Sequence, residues 1–369
     1  MDKTNVDQVA EFLPEVWPSI YKNGKAWGSA EGFPYFYIKA YEQYVPVKGV
    51  IESTKKYAPT VTLDGEGNIE NYAEIAGVPF PDAKTGIEVA WNFDLNSFGD
   101  ASNYFMIGPN ITPGNTTERT ARSDYVRLYW IHRASTTPKP KFEKNPKGIH
   151  HGLFMHMYNP PENKNSRYFN VRYIDHTKGD DGYIYYAPFR RLRRMGAATR
   201  TDTIDGTDLI YDDGNQWDGH IQQNTYKYLG EKELLCARNV DVSKYVRAMG
   251  EVMGSEYARE RVKLLMVEAI NKDPNYLYSK RLWYFDPESN YIPWQEIWDE
   301  LGRMWKCVEY RFTIFKTEQG EMEIYPTSNS HNDFQRIHGG FSRDDIKRIG
   351  QPDINPKLFT IRSIQQFTY

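Results

Sequence analysis

Cysteine is nearly absent: Cys236 and Cys307 are the only two in 369 residues, and no CxxC pair occurs. Thiolate zinc sites and thioredoxin-type chemistry are therefore excluded, and a single disulfide is the most the chain can form. A surplus of one charge is also missing, since 46 Lys and Arg stand against 49 Asp and Glu. That balance argues against a nucleic-acid binder, which needs excess Lys and Arg to neutralise phosphates. No apolar run reaches the roughly 18 residues that a membrane-spanning helix requires. Neither GxGxxG, GxxxxGK[ST] nor GxSxG is present, which removes the commonest nucleotide-binding and serine-hydrolase classes. The start, MDKTNVDQVAEFLPEVW, lacks a basic stretch followed by an apolar one. The expectation is a cytoplasmic protein or a mature one whose leader has been removed.

Aromatic residues are abundant instead, with 28 Tyr, 18 Phe and 9 Trp, although mean hydropathy is negative. Tyr and Trp join an apolar body to a polar tip. Aromatics favour pleated surfaces, so the composition points to β-structure. From about residue 100 the hydrophobic period becomes two. Residues 124–133 place Val126, Leu128, Trp130 and His132 on one side, and Tyr125, Arg127, Tyr129, Ile131 and Arg133 on the other. Runs at 152–158, 166–176, 182–194, 223–229, 261–270, 279–286, 291–298 and 303–313 read as further strands of an antiparallel sheet. Residues 281–298 read as a hairpin turning at Pro287–Asn290. Residues 136–147 and 199–219 read as loops, 241–252 as a helix, and the tail from 326 as polar and turn-rich. The N-terminal part shows one short helical face, Val6, Ala10 and Leu13, before Pro14. Pro79-Phe80-Pro81 predicts an extended connector. Gly86 then opens a short helix with Ile87, Ala90, Trp91 and Asp94 on one face.

Several clusters invite a functional reading. Arg190, Arg191, Arg193 and Arg194 follow GYIYYAPF, and Asp202, Asp205, Asp208, Asp212, Asp213 and Asp218 follow them. An Arg–carboxylate network fixing a loop to the sheet, through Arg190, Arg194, Asp212 and Asp213, is one expectation. The other is an anion or lipid-headgroup site at a cavity mouth, using Arg191 and Arg193. The aspartates do not fit a calcium-loop register. His150, His151 and His156 lie close together, but no carboxylate occurs within 148–160 and no HExxH is present, so no metal or other cofactor is expected. Trp130, Phe154, Tyr173, Tyr185, Trp283, Phe285 and Trp305 fall on expected strands. They form either a plain aromatic core or the lining of an apolar pocket on a curved sheet.

Three segments resemble one bacterial family. AGVPFPDAKTGIEVAWNFD is similar to its G-x-PFP-x-P-x-x-G-x-E-A-x-WNH stretch. GYIYYAPFRRLRRMGAATRTDTIDGTDLIYDDGNQWDG resembles its strand, RR-x-RR element and acidic loop. VEAINKDPNYLYSKRLWYFDPESNYIPWQEIWDELGRMWKCVEY resembles its C-terminal meander. The family is domain of unknown function 1329, also labelled outer membrane lipoprotein-sorting protein, and the resemblance runs from about residue 70 to the C-terminus. Phe93 stands where the family often has His, and Ala187-Pro188-Phe189 replaces Leu-Pro-Gly.

The resemblance implies an exported, periplasmic protein with a LolA/LolB-like fold. That fold is a mainly β, strongly curved antiparallel half-barrel with a few helices on its concave face, here preceded by a long irregular N-terminal segment. The expected division is 1–70 as a wrapping segment and 71–369 as the β domain. The expected function is non-enzymatic carriage of a lipid or other hydrophobic molecule. Outer-membrane barrels or RND-type exporters are implied as partners. A non-catalytic periplasmic subunit of a membrane-associated assembly and a His-dependent metalloenzyme are the alternatives.

Overall fold

Period-two alternation becomes fourteen strands in a single sheet. The computed structural model describes residues 1–23, 35–112, 116–196, 200–204, 206–241 and 258–366. In chain order the strands are β1 (Tyr37–Ile38), β2 (Ala101–Thr112), β3 (Thr116–Tyr129), β4 (Ile149–Asn159), β5 (Arg167–Tyr173), β6 (Asp181–Tyr186), β7 (Arg191–Met195), β8 (Asn224–Cys236), β9 (Ala258–Asn271), β10 (Tyr278–Phe285), β11 (Trp294–Asp299), β12 (Met304–Lys316), β13 (Met322–Asp333) and β14 (His338–Ile349). The α-helices are α1 (Pro18–Lys22), α2 (Lys48–Tyr57), α3 (Gly86–Asp94) and α4 (Ile361–Gln366). Strands β2 to β7 form one antiparallel meander and β8 to β14 another. Pairing of β14 with β2 joins them into one sheet. Among the described strands only β1, which pairs with β9, runs parallel to its neighbour. Among the described residues no pairing joins β7 to β8, so the half-barrel stays open.

Helix α3 is fixed locally before it is fixed by packing. The Thr85 side chain accepts the Glu88 N–H, and the Glu88 carboxylate accepts the Thr85 N–H at 2.9 Å, a reciprocal cap. Asn92 holds the Pro-Phe-Pro connector, accepting from the Phe80 N–H at 2.9 Å and donating to the Phe80 carbonyl at 2.8 Å. Gly86 lets the helix meet β8, because a Cβ there would sit 3.0 Å from the Tyr228 nitrogen. The buried face of α3 (Val89 and Phe93) packs with Trp217 on Trp283, Phe285, Val308 and Tyr310. We call this the inner face of the sheet. Strand alternation brings Arg127, Tyr129, His151 and Arg172 to it as well.

The opposite face has two covers. Val6, Val9, Leu13, Trp17 and Ile20 of the N-terminal segment pack on Leu234, Val262, Leu264, Tyr284 and Trp294, with Trp17 edge-on to Trp294 at 4.7 Å. Phe359 and Ile364 pack on Leu128, Trp130, Phe154, Phe169, Val171 and Tyr173. Cys236 and Cys307 are buried and free, so the single disulfide that composition allowed is not formed.

Four expectations need correction. The run 182–194 is not one strand but the hairpin β6–β7, turning through Arg190 at φ +50°. The strand expected over 124–133 ends at Tyr129, and His132 adopts φ +59°. The tail from 326 is not irregular, since it carries most of β13 and all of β14. Their alternation is invisible to a hydrophobic pattern because Ser328, Ser330, His331, Asn332 and Asp333 are buried polar residues. The N-terminal part shows only one short helical face in its sequence, whereas it also holds α2, which begins at Lys48. The helix expected over 241–252 lies almost wholly outside the described residues.

Candidate functional site

The aromatics singled out in the sequence do not gather in one place. Trp283 and Phe285 are buried on the inner face, against Trp217 and Phe93. Trp130, Phe154 and Tyr173 lie on the opposite face under Phe359, with Tyr185 packed at their margin. Trp305 is half-buried, and its Nε1 donates to Asp333 at 2.9 Å. Arg191 and Arg193 are exposed on β7.

A pocket of about 440 Å³ with one apolar wall opens between α2, α3 and the β9–β10 region. Val50 and Ile51 of α2, Val78, Val89 of α3, Leu265 of β9 and Phe285 of β10 line it. A smaller void shares Val50, Val78 and Asn92 with this pocket and reaches Tyr291, Ile324 and Glu323. Glu323 is buried, and its Oε2 has no hydrogen-bond partner. Burial, reinforced by the charges of Asp100 and Glu321, pushes its carboxyl up to about 8. At neutral pH it is therefore mostly protonated, a neutral donor facing the smaller void. Lys55, Asp82, Lys84, Asp286 and Glu288 also line the larger pocket, so an apolar wall faces a charged one, at a volume within the roughly 300–1,000 Å³ of small-molecule sites.

A second opening, about 740 Å³, lies beside the unpaired edges of the sheet and is lined by polar residues, including Arg172, Asp180, Arg200 and Asp212. Its two arginines are already engaged. Arg172 meets Asp180 at 3.0 Å and Asp218 at 3.3 Å. Arg200 meets Asp212 at 2.6 Å, Asp180 at 3.1 Å and Asp218 at 3.1 Å. The expected Arg–Asp network therefore exists with different arginines. Asp212 pairs with Arg200, and Asp213 pairs with Arg281 at 2.5 Å, whereas Arg194 pairs with Asp181 at 2.6 Å. Arg190 is exposed in the β6–β7 turn. The reason is topological: the hairpin carries the RR-x-RR stretch to the sheet edge, while the acidic segment folds back over the inner face.

The histidines divide. His151 and His156 face opposite sides of β4, as their odd spacing predicts. His132 and His150 converge instead with Asp94, and one ligand atom from each lies within 4.8 Å of the others. The sequence reading found no carboxylate near these histidines because Asp94 arrives from the end of α3. The signal available was its place on the same helical face as Trp91. No helix among the described residues is long and apolar enough to cross a membrane.

The sequence model of a family described as a protein of unknown function (DUF1329) matches residues 1–361, and the chain belongs to that family. No curated protein matches it. A structure from Vibrio parahaemolyticus, provisionally described as an outer membrane lipoprotein-sorting protein domain, is 13% identical with TM-score 0.55, covering 76% of this chain and 98% of that one. A DUF1329 protein from Desulfovibrio piger is 14% identical with TM-score 0.55, covering 76% and 97%. A LolA superfamily protein from Nitrosomonas europaea is 12% identical with TM-score 0.45, covering 75% and 98%. At these identities the likeness concerns the fold.

Proposed function

We propose that this DUF1329 protein is a non-catalytic binding protein that carries a hydrophobic molecule, acting in the periplasm in traffic toward the outer membrane. The observation that supports this most is the pocket between α2 and α3 with its wall of Val50, Ile51, Val78, Val89, Leu265 and Phe285, adjoined by a smaller void that reaches the unpartnered Oε2 of Glu323. Removing apolar surface from water is worth about 25 cal/mol per Å², so an acyl chain is held there without covalent chemistry. The protonated Glu323 donates to a polar group on the cargo. The description of the Vibrio relative as lipoprotein-sorting points the same way. Phe189, Arg191 and Arg193 at the exposed β6–β7 hairpin then serve approach to an anionic membrane surface.

The test uses a fluorescent fatty acid titrated into the purified chain. Val50→Trp fills the pocket from the half-buried side of α2. The expected result is a loss of affinity of roughly tenfold or more with an unchanged melting temperature, because occluding a pocket removes contacts the probe needs. Equal affinity in both proteins would contradict the assignment of the pocket.

A further inference from the structure

We infer that Asp94, His132 and His150 form a binding site for a divalent first-row transition-metal ion of the zinc type. The three side chains come from the end of α3, the segment after β3, and β4. Their ligand atoms already lie within 4.8 Å of one another.

Each imidazole is oriented as a ligand. His132 is fully buried, and its Nδ1 lies 2.9 Å from the Ile75 carbonyl oxygen. A carbonyl only accepts, so the ring proton sits on Nδ1 and the lone pair on Nε2. That Nε2 has no hydrogen-bond partner. A buried polar atom left in this state costs about 1–3 kcal/mol, which a metal bond would remove. His150 is buried with Nε2 at 3.2 Å from the Tyr72 hydroxyl. Its Nδ1 lies 2.7 Å from His151 Nδ1, and His151 Nε2 lies 3.7 Å from Asp218. With a metal on His150 Nε2, the Nδ1–H donates to His151, and His151 turns its own Nε2–H toward Asp218. Metal-bound histidines commonly donate their second nitrogen to such an outer acceptor.

Asp94 accepts from the Tyr72 hydroxyl at 2.5 Å, so the third ligand is tied to the same hydroxyl that His150 Nε2 faces. Two imidazoles and one carboxylate suit zinc or iron rather than calcium or magnesium, which prefer oxygen ligands alone. Three protein ligands leave a coordination position open, and the Tyr72 hydroxyl borders it. The ion would pin the C-terminal end of α3, the helix whose Val89 lines the larger pocket.

The experiment strips the full chain with a chelator and titrates Zn²⁺ calorimetrically. Co²⁺ serves as a spectroscopic probe. The expected result is one equivalent per chain, a raised melting temperature and a visible Co²⁺ spectrum. Asp94→Asn and His132→Gln each weaken Zn²⁺ by roughly 100-fold or more, and His151→Phe by roughly tenfold. His156→Gln, on the other face of β4, leaves binding unchanged. Failure of the wild-type chain to take up one equivalent of either ion overturns the site, whatever the variants do. So does unchanged affinity in folded Asp94→Asn. Because the readout is metal rather than lipid, neither outcome depends on the carrier reading.

Discussion

Glu309 illustrates what a fully buried charge demands of its neighbours. Arg259 reaches it with two bonds at 2.7 and 2.8 Å, and Arg311 adds a third at 2.9 Å. All three residues are buried where the N-terminal segment covers the sheet, and Arg259 stacks on Phe36. Removing one partner strands the others without water, at a cost of about 3–5 kcal/mol. Glu309→Gln is therefore expected to lower the unfolding free energy by that amount, read as a lower urea midpoint at unchanged slope. Glu323 has the opposite character, a buried acid without a cation. Its carboxyl titrates near 8 in the fold, against about 4.3 in an unfolded chain. The folded state thus keeps a proton that the unfolded state releases. The stability this supplies is fully present below about pH 4.3 and is lost as pH rises through 8. Urea melts at pH 5 and pH 8 should show a smaller loss in Glu323→Gln than in the wild type, and equal losses would refute the buried-acid assignment. Neither residue was legible beforehand, because a carboxylate's burial and partners depend on strands far away in sequence.

Elements were legible where pattern and chemistry coincide. The proline connector, Gly86 and the apolar face of α3 all announce that helix, and the Pro287–Asn290 turn announces β10–β11. The failures have one cause. β13 and β14 bury serine, asparagine, histidine and aspartate, so their alternation carries no hydrophobic signal. The hairpin β6–β7 was read as one strand because aromatics run straight into arginines, with only Pro188 to mark the turn. The sequence reading gave Arg194 one role and Arg191 with Arg193 another. Arg194 pairs with Asp181, whereas Phe189, Arg191 and Arg193 are exposed. Each basic residue near an anionic membrane surface is worth about 1 kcal/mol. Charge reversal of both, Arg191→Glu with Arg193→Glu, should abolish cosedimentation with phosphatidylglycerol vesicles without shifting the melting temperature. Unchanged sedimentation would remove the hairpin from any membrane role.

At the scale of the whole molecule, local alternation revealed a meander but not its closure. That β14 pairs with β2 makes two meanders one sheet, and nothing local in either strand encodes the meeting. The same limit applies to the candidate site. Phe285 was singled out from its strand and does line the pocket, but Val50 sits on a helix the sequence reading did not see, and Glu323 sits near the start of β13, a strand it also missed. The aromatics named with Phe285 were distributed over both faces because register, and not composition, decides which face a strand residue occupies. The central proposal, carriage of a hydrophobic molecule, is tested most directly by native mass spectrometry of the chain purified from the cell envelope without detergent. A carrier should fly with a stoichiometric hydrophobic adduct that solvent extraction releases and that Val50→Trp lacks. A bare chain mass, unchanged after incubation with lipid extract, would contradict it.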